Sequence, residues 1–360
     1  MATYEITSNS IGPGIRVALT PGQSAKIHAG VTVQSTDETN TITGAQSNTS
    51  IEILGTVTGL SDDGFPCIAL GFSGTTSNNH VVVQAGGAVE DGIAFWSTSS
   101  SITNAGSINS IYVAAKATGA ATSSTITNSG TLDAEYAIQR ADSSDETLNV
   151  VNSGTITGSD YAFYSSAAAA VDVITNTGMM AGSVKLGGGD DTYDGRGGRT
   201  NQSLISGDDG NDTMFGGGET ESFSGGAGND SLDGGGGYDR LHGGAGADTL
   251  TGGADNDTFS FYTVKDSSKK PGSYDLITDF SRKENDMIDL VFIDANGKEK
   301  KNGKFDFIGD DKFSRDNGEL RYEIKGDHTF LYGDTNGDGK ADLVIELDGA
   351  IKFKASDFEL

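Results

Sequence analysis

From Gly207 to Ser260 the chain repeats every nine residues without a gap, six units in 54 residues. One acidic residue holds the same place in each unit, at Asp212, Glu221, Asp230, Asp239, Asp248 and Asp257. Two places on stands one large apolar residue: Met214, Phe223, Leu232, Leu241, Leu250 and Phe259. A solvated acidic linker has no use for that register. The period fits a parallel β-roll, six residues turning and three forming a short strand. Only one side chain in nine then points inward, too little apolar burial to offset the ordering of the remaining backbone. The turns need another source of stability. Gly207, Gly225, Gly226, Gly228, Gly234, Gly235, Gly237, Gly243, Gly244 and Gly246 allow the turns to direct carbonyl oxygens inward, and the acidic positions add carboxylates. Stacked turns thus offer the oxygen shell that a hard cation requires, and calcium, as several ions, is the expected cofactor. An isolated earlier copy, Gly187 to Tyr193, adds Asp191 to this set.

The wider composition agrees with a cation-binding chain. Fifty-one acidic against 24 basic side chains leave a net charge of −27, which argues against nucleic acid and anionic lipid as partners. Cys67 is the single cysteine, so no intramolecular disulfide supplies the stability. No stretch approaches the length of apolar sequence needed to cross a membrane, and Met1-Ala2-Thr3-Tyr4-Glu5 lacks the basic and apolar regions of a signal peptide. Charge and composition suggest three zones: 1–185, 186–260 and 261–360.

The wording G-G-x-G-x-D-x-U-x, cleanest in Gly225 to Asp233 and Gly243 to Thr251, resembles the RTX calcium-binding repeat of hemolysin type. The resemblance implies ions held between turns two units apart, pairing Asp212 with Asp230, Asp230 with Asp248, Asp239 with Asp257 and, less regularly, Glu221 with Asp239. Glu221 lies in a unit that also carries Glu219 where glycine is usual, so a weaker or differently built site is expected there. Past Ser260, the stretches Tyr274 to Phe280 and Asp286 to Leu290 alternate as short antiparallel strands would. Their wording, D-x-I-T-D-F and D-x-I-D-L, resembles the closing domain of serralysin-type proteases and the calcium-binding modules of mannuronan epimerases, which implies a β-sandwich-like cap. Asp334, Asn336, Asp338 and Asp342 place oxygen atoms at alternate positions around Gly337, as in the first half of an EF-hand loop, although Ile345 in the twelfth place excludes a complete one. The last residues, Asp357-Phe358-Glu359-Leu360, resemble the tail by which such proteins leave through type I secretion machinery, implying a secreted, extracellular protein that folds on meeting calcium.

The first zone carries a second repeat. Ile102-Thr103-Asn104, Ile126-Thr127-Asn128, Val150-Val151-Asn152 and Ile174-Thr175-Asn176 recur every 24 residues, each followed by a glycine corner, and weaker copies at Gly30, Gly55 and Gly86 precede them. This predicts a parallel β-helix of about seven coils with Asn104, Asn128, Asn152 and Asn176 stacked in an internal amide ladder. The fold class is therefore all-β: a parallel β-helix, a calcium-stabilised parallel β-roll and a β-sandwich-like cap. Ten places beyond the corner glycines stand Trp96, Lys116, Arg140 and Tyr164, expected to form an outward column beside Tyr112 and Tyr136 that suits a uronate sugar. Glu90, Asp91, Asp133, Glu135 and Asp160 lie in the same coils as candidate acids or bases.

Catalytic signatures are missing from the sequence. There is no H-E-x-x-H, His28, His80, His242 and His328 have no zinc-ligand spacing, no proline follows aspartate as a D-P-H motif requires, and no G-x-S-x-G occurs. Cys67 reads as a buried thiol. The expected function is non-catalytic, adhesion or surface-matrix assembly through the β-helix, with extracellular polysaccharide or a cell surface as partner. The competing expectation is a polysaccharide-active enzyme of uronate lyase or epimerase type on the β-helix flank.

Overall fold

The computed structural model describes residues 3–37, 39–44, 47–59, 66–71, 77–114, 122–141, 146–295 and 303–360. They divide into two compact units, Met1–Ser203 and Leu204–Leu360. Among the described residues the secondary structure is β apart from one short 3₁₀ turn, Ala355–Asp357, and no helix is long and apolar enough to cross a membrane.

In the first unit the β-branched triplets form parallel ladders with an unbroken register. Ile102 lies beside Ile126, Ile126 beside Val150 and Val150 beside Ile174, and the column ends on Tyr193. Two further inward columns close the coil. One runs Val57, Val89, Ile108, Leu132, Ile156 and Met180; the other runs Ile42, Ile68, Ile93, Ile111, Ile138, Phe163 and Val184. All of these side chains are buried, so three faces meet in one dry core. The corners are equally constrained. A Cβ on Gly130 would stand 2.1 Å from the Gly106 carbonyl oxygen, and one on Gly154 2.2 Å from that of Gly130, so only glycine allows the coils to approach this closely.

The first face has nine strands, from Thr3–Ile6 to Thr192–Asp194, two more than the seven corner glycines predict. The extra ones lie at the two ends. The early coils read weakly because Ile27, Ile53 and Val83 occupy the register that Asn104 opens as a ladder.

In the second unit, successive nonapeptides alternate between two parallel sheets. Met214, Leu232 and Leu250 stack in one; Ile205, Phe223, Leu241 and Phe259 stack in the other, all buried. The two stretches expected to be antiparallel are instead parallel continuations of the roll. Asp275–Ile277 pairs with Thr249–Ala254 and Met287–Asp289 with Thr258–Ser260, so Ile277 and Ile288 extend the two apolar columns. Alternation of period two fixes which face a side chain takes but not the direction of the neighbouring strand. Antiparallel pairing begins later, in the meander Glu319–Lys325, His328–Asp334 and Leu343–Asp348, whose last strand runs parallel to Asp275–Ile277. Phe280, Phe353, Phe358, Phe307 and Tyr322 form a contiguous ring cluster in this closing part, with centroids 5.0 to 6.2 Å apart.

The amide ladder is present as predicted: Nδ2 of Asn104 donates to Oδ1 of Asn128, Asn128 to Asn152 and Asn152 to Asn176, each at 2.8 Å and fully buried. Replacing Asn128 with Leu removes an acceptor from Asn104 and a donor from Asn152. Each buried group so orphaned costs about 1–3 kcal/mol, and the urea midpoint of the first unit is expected to fall accordingly. Trp96, the only tryptophan, makes fluorescence a selective reporter of that transition.

Candidate metal centre and flank cleft

Asp230, Asp239, Asp248 and Asp257 each reach back to the turn eighteen residues earlier. The backbone N–H of Asp212 donates to Asp230 Oδ1 at 2.8 Å, Glu221 to Asp239 at 2.7 Å, Asp230 to Asp248 at 2.9 Å and Asp239 to Asp257 at 2.9 Å. The turns therefore couple two units apart, as the repeat implies. The other oxygen, Oδ2, of Asp230, Asp239, Asp248 and Asp257 is buried and has no hydrogen-bond partner. It faces a space that a side chain would fill. A Cβ on Gly225 would stand 2.2 Å from Asp230 Oδ2 and 2.5 Å from the Gly243 carbonyl oxygen, and one on Gly234 2.4 Å from Asp239 Oδ2 and 2.6 Å from the Gly252 carbonyl oxygen. Gly207 and Gly243 likewise face Asp212 and Asp248. These glycines keep the space open. Gly226, Gly235 and Gly244, at φ of 119°, 94° and 104°, bend the turn, and Gly228, Gly237 and Gly246 admit a neighbouring carbonyl at under 2.5 Å from the place of a Cβ.

Carboxylates held this way are electrostatically costly. Burial raises Asp230, Asp239 and Asp257 to about 7 and Asp248 to about 6, with neighbouring acids adding to the effect in each case. Among the described residues no three acidic, histidine or cysteine side chains gather at one point. The oxygens come instead from one carboxylate per turn and from peptide carbonyls, a donor set that suits calcium, which accepts several neutral oxygens beside few charged ones. Asp230, Asp239, Asp248 and Asp257, with the carbonyls of Gly243 and Gly252, are the groups that would hold it, and the ion would supply the positive charge these buried carboxylates lack.

The remaining expected ligands differ. Asp212 is buried on the same stack. Glu221 is buried as well, but its Oε2 accepts the N–H of Gly217 within its own turn, consistent with a differently built site. Asp191 lies in the first unit, where its Oδ1 accepts the N–H of Asp172 at 2.6 Å. The loop of Asp334, Asn336, Asp338 and Asp342 closes on itself. Asp334 accepts the N–H groups of Asn336, Gly337 and Gly339, and Asp342 Oδ2 accepts donors from Thr335 and Asn336, which fixes the turn around Gly337.

Two members of the ladder went unrecognised in the sequence. Asp275 Oδ1 accepts the N–H of Asp248 at 3.1 Å and Asp286 Oδ1 that of Asp257 at 3.0 Å. Asp275 is fully buried, its Oδ2 lacks a partner, and burial raises it to about 9. Its position 27 residues after Asp248, three periods of nine, was the available signal.

On the β-helix flank the expected column does not form as drawn. Arg140 is completely buried, paired with Asp172 and donating to the carbonyls of Val171 and Glu146. It shares an inward column with Val113 and Ser165, while Gln139 lies beside Tyr112 and Tyr164. A bulge adds to the mismatch: Ala134 lies beside Gly158 but Tyr136 beside Tyr161, so an extra residue in Thr155–Ser165 sets Tyr164 level with Gln139 rather than with Arg140. Lys116 lies outside the described residues. Trp96, Tyr112 and Tyr136 do line one cleft of about 400 Å³, together with Asp91, Asn40, Ser110 and Gln139. Tyr164 packs beside it, and Tyr161, which sequence reasoning missed, stacks on Tyr136 at 5.4 Å. Cys67 is buried as expected, and burial pushes its thiol up to about 12, so it carries no thiolate at neutral pH.

The raised aspartates set the sign of a pH effect. Without calcium, protonation is favoured in the folded roll relative to the unfolded chain, so the roll is most stable below pH 4 and loses stability as pH rises towards 7. With saturating calcium the carboxylate form is the ligand in the folded roll and the unfolded chain is ionised as well, so these groups add no slope between pH 5 and 8 and the bound roll loses stability only as pH falls below about 4. In circular dichroism melts the chelated roll is expected to melt lower at pH 8 than at pH 5, and the gain on adding calcium is expected to be larger at pH 8. Gly225→Ala, which places a methyl between Asp230 and the Gly243 carbonyl, is expected to weaken calcium binding measured by titration calorimetry.

The profile of the RTX calcium-binding nonapeptide repeat matches in four copies, at residues 203–220 and 224–259, and the interruption falls on the unit of Glu221. No curated protein matches. Among solved structures the chain is similar to the solution structure of the AlgE6R3 subunit from the Azotobacter vinelandii mannuronan C5-epimerase, at 26% identity over 44% of this chain and 79% of that one, with a TM-score of 0.31. The stacked turns of the second unit are RTX calcium-binding repeats.

Proposed function

We propose that this is a secreted, calcium-organised solenoid that binds an extracellular polymer along the flank of its β-helix, serving adhesion to a surface or assembly of a matrix. The observation that carries the reading is the file of rings Trp96, Tyr112, Tyr136, Tyr161 and Tyr164 on that flank, with the cleft beside it. Coils fixed by a dry core present such a file in one geometry, which lowers the ordering cost of binding an extended ligand. The carboxylate ladder fits a chain that leaves its cell unfolded, by the type I secretion route its repeats suggest, and folds where calcium is plentiful.

The role is read as binding rather than turnover. Asp91, the one carboxylate lining the cleft among the described residues, is engaged by the N–H of Gly59 and the hydroxyl of Thr58. The test is retention of the purified protein, in millimolar calcium, on immobilised extracellular polysaccharides and on bacterial cell surfaces, with reducing ends and unsaturated-uronate absorbance recorded on the same samples. Retention without new chain ends is expected. Chain cleavage or unsaturated product transfers the flank to the lyase or epimerase alternative, and absence of retention on every surface removes the binding role.

A further inference from the structure

We propose that the flank cleft recognises an uncharged pyranose chain lying along the solenoid axis, and discriminates against polyuronates. The inference rests on the reading of this flank as a binding surface and names the ligand class. Three features of the site carry it.

The first is the spacing of the rings. Tyr112 lies beside Gln139, Gln139 beside Tyr164 and Tyr164 beside Lys185 in successive coils, while Tyr136 lies beside Tyr161. Between neighbouring coils the ring centroids of Trp96 and Tyr112 are 6.1 Å apart and those of Tyr136 and Tyr161 5.4 Å. Each coil advances about 4.8 Å, close to the rise of about 5 Å per residue of an extended pyranose chain, so consecutive sugars meet consecutive coils. The C–H faces of pyranoses pack on aromatic rings, and tyrosine and tryptophan add a polar edge for the hydroxyls.

The second is the polar lining. Gln139, Asn40 and Ser110 offer neutral donors and acceptors, and Asp91 offers acceptor oxygens only. Sugar hydroxyls satisfy all of them. A uronate carboxylate, which only accepts, has nothing to gain from Asp91.

The third is charge. Of the two cations expected to greet a uronate, Arg140 is buried against Asp172 and cannot reach the cleft, and Lys116 lies outside the described residues. Asp91 is joined by two further acids near Tyr136, whose phenol is held above the ordinary range by desolvation first and then by the charges of Asp160 and Glu135. Lys185 stands at the far end of the file, 5.8 Å from the Tyr164 ring. Among the described residues the charge at the cleft is predominantly negative, so one negative charge per sugar is repelled there, whereas an uncharged chain is not.

The test is titration calorimetry of the full chain in calcium with cellohexaose and with the hexamer of N-acetylglucosamine, against hexagalacturonate and a mannuronate hexamer. At least one uncharged oligomer is expected to bind about tenfold or more tighter than either uronate at low salt, with the gap narrowing as salt screens the repulsion. Trp96→Ala and Tyr136→Ala are expected to lose about tenfold or more of that affinity, Tyr136→Phe to retain it, and Tyr238→Ala, on the exposed surface of the roll, to leave it unchanged. Circular dichroism establishes that each variant is folded. Uronate binding equal to or tighter than uncharged binding overturns the ligand class while leaving the flank a binding surface, provided Tyr136→Ala weakens it. Uncharged binding that survives both alanine variants, or no binding of any oligomer by a chain that is retained on polymers or cells, overturns the cleft as the site.

Discussion

In a solenoid every side chain sits about 4.8 Å from its counterpart in the next coil, so a favourable or unfavourable pairing at one position is multiplied along the axis. An asparagine tolerates that multiplication. It carries a donor and an acceptor, and Asn104 through Asn176 link head to tail at 2.8 Å with no charge left over. An aspartate has acceptors only. Its stack can use one oxygen on a backbone N–H, as Asp230 does with Asp212, but the other meets only carbonyls and more carboxylates. The same geometry that completes the first ladder leaves the second with an excess of negative oxygen, which a cation corrects.

That difference separates the two units energetically. Three apolar columns and an uncharged ladder form the core of the first. The roll has one inward side chain in nine and a row of carboxylates whose burial opposes their ionisation. Calcium bound at those turns would stabilise the folded roll over the unfolded chain, whereas the core of the β-helix rests on its hydrogen bonds and packing.

Strict periods were readable for the same reason. Nonapeptides and 24-residue coils place like residues on like, so the stacks at Asp230 and Asn128 follow from counting alone. Counting failed wherever the period changed. Asp275 and Asp286 sit 27 and 29 residues beyond Asp248 and Asp257, the intervening chain departs from the glycine-rich wording, and two parallel strands looked like the start of an antiparallel domain. Arg140 failed by one residue, enough to turn a side chain from solvent to core.

The irregularity that hid the flank site also built it. In a perfect repeat the coil Thr155–Ser165 would copy the one before it; the bulge instead sets Tyr136 beside Tyr161, so their rings stack at 5.4 Å with Tyr164 edge-on to both. Bulges commonly re-aim side chains at functional edges of sheets. A repeat supplies stability in every coil but the same outward surface in each, and recognition of a particular ligand needs a place where one coil differs from the next. The bulged coils beside Trp96 and Tyr112 are such a place, where the periodic core continues beneath through Ile138, Phe163 and Val184 while the surface above it changes.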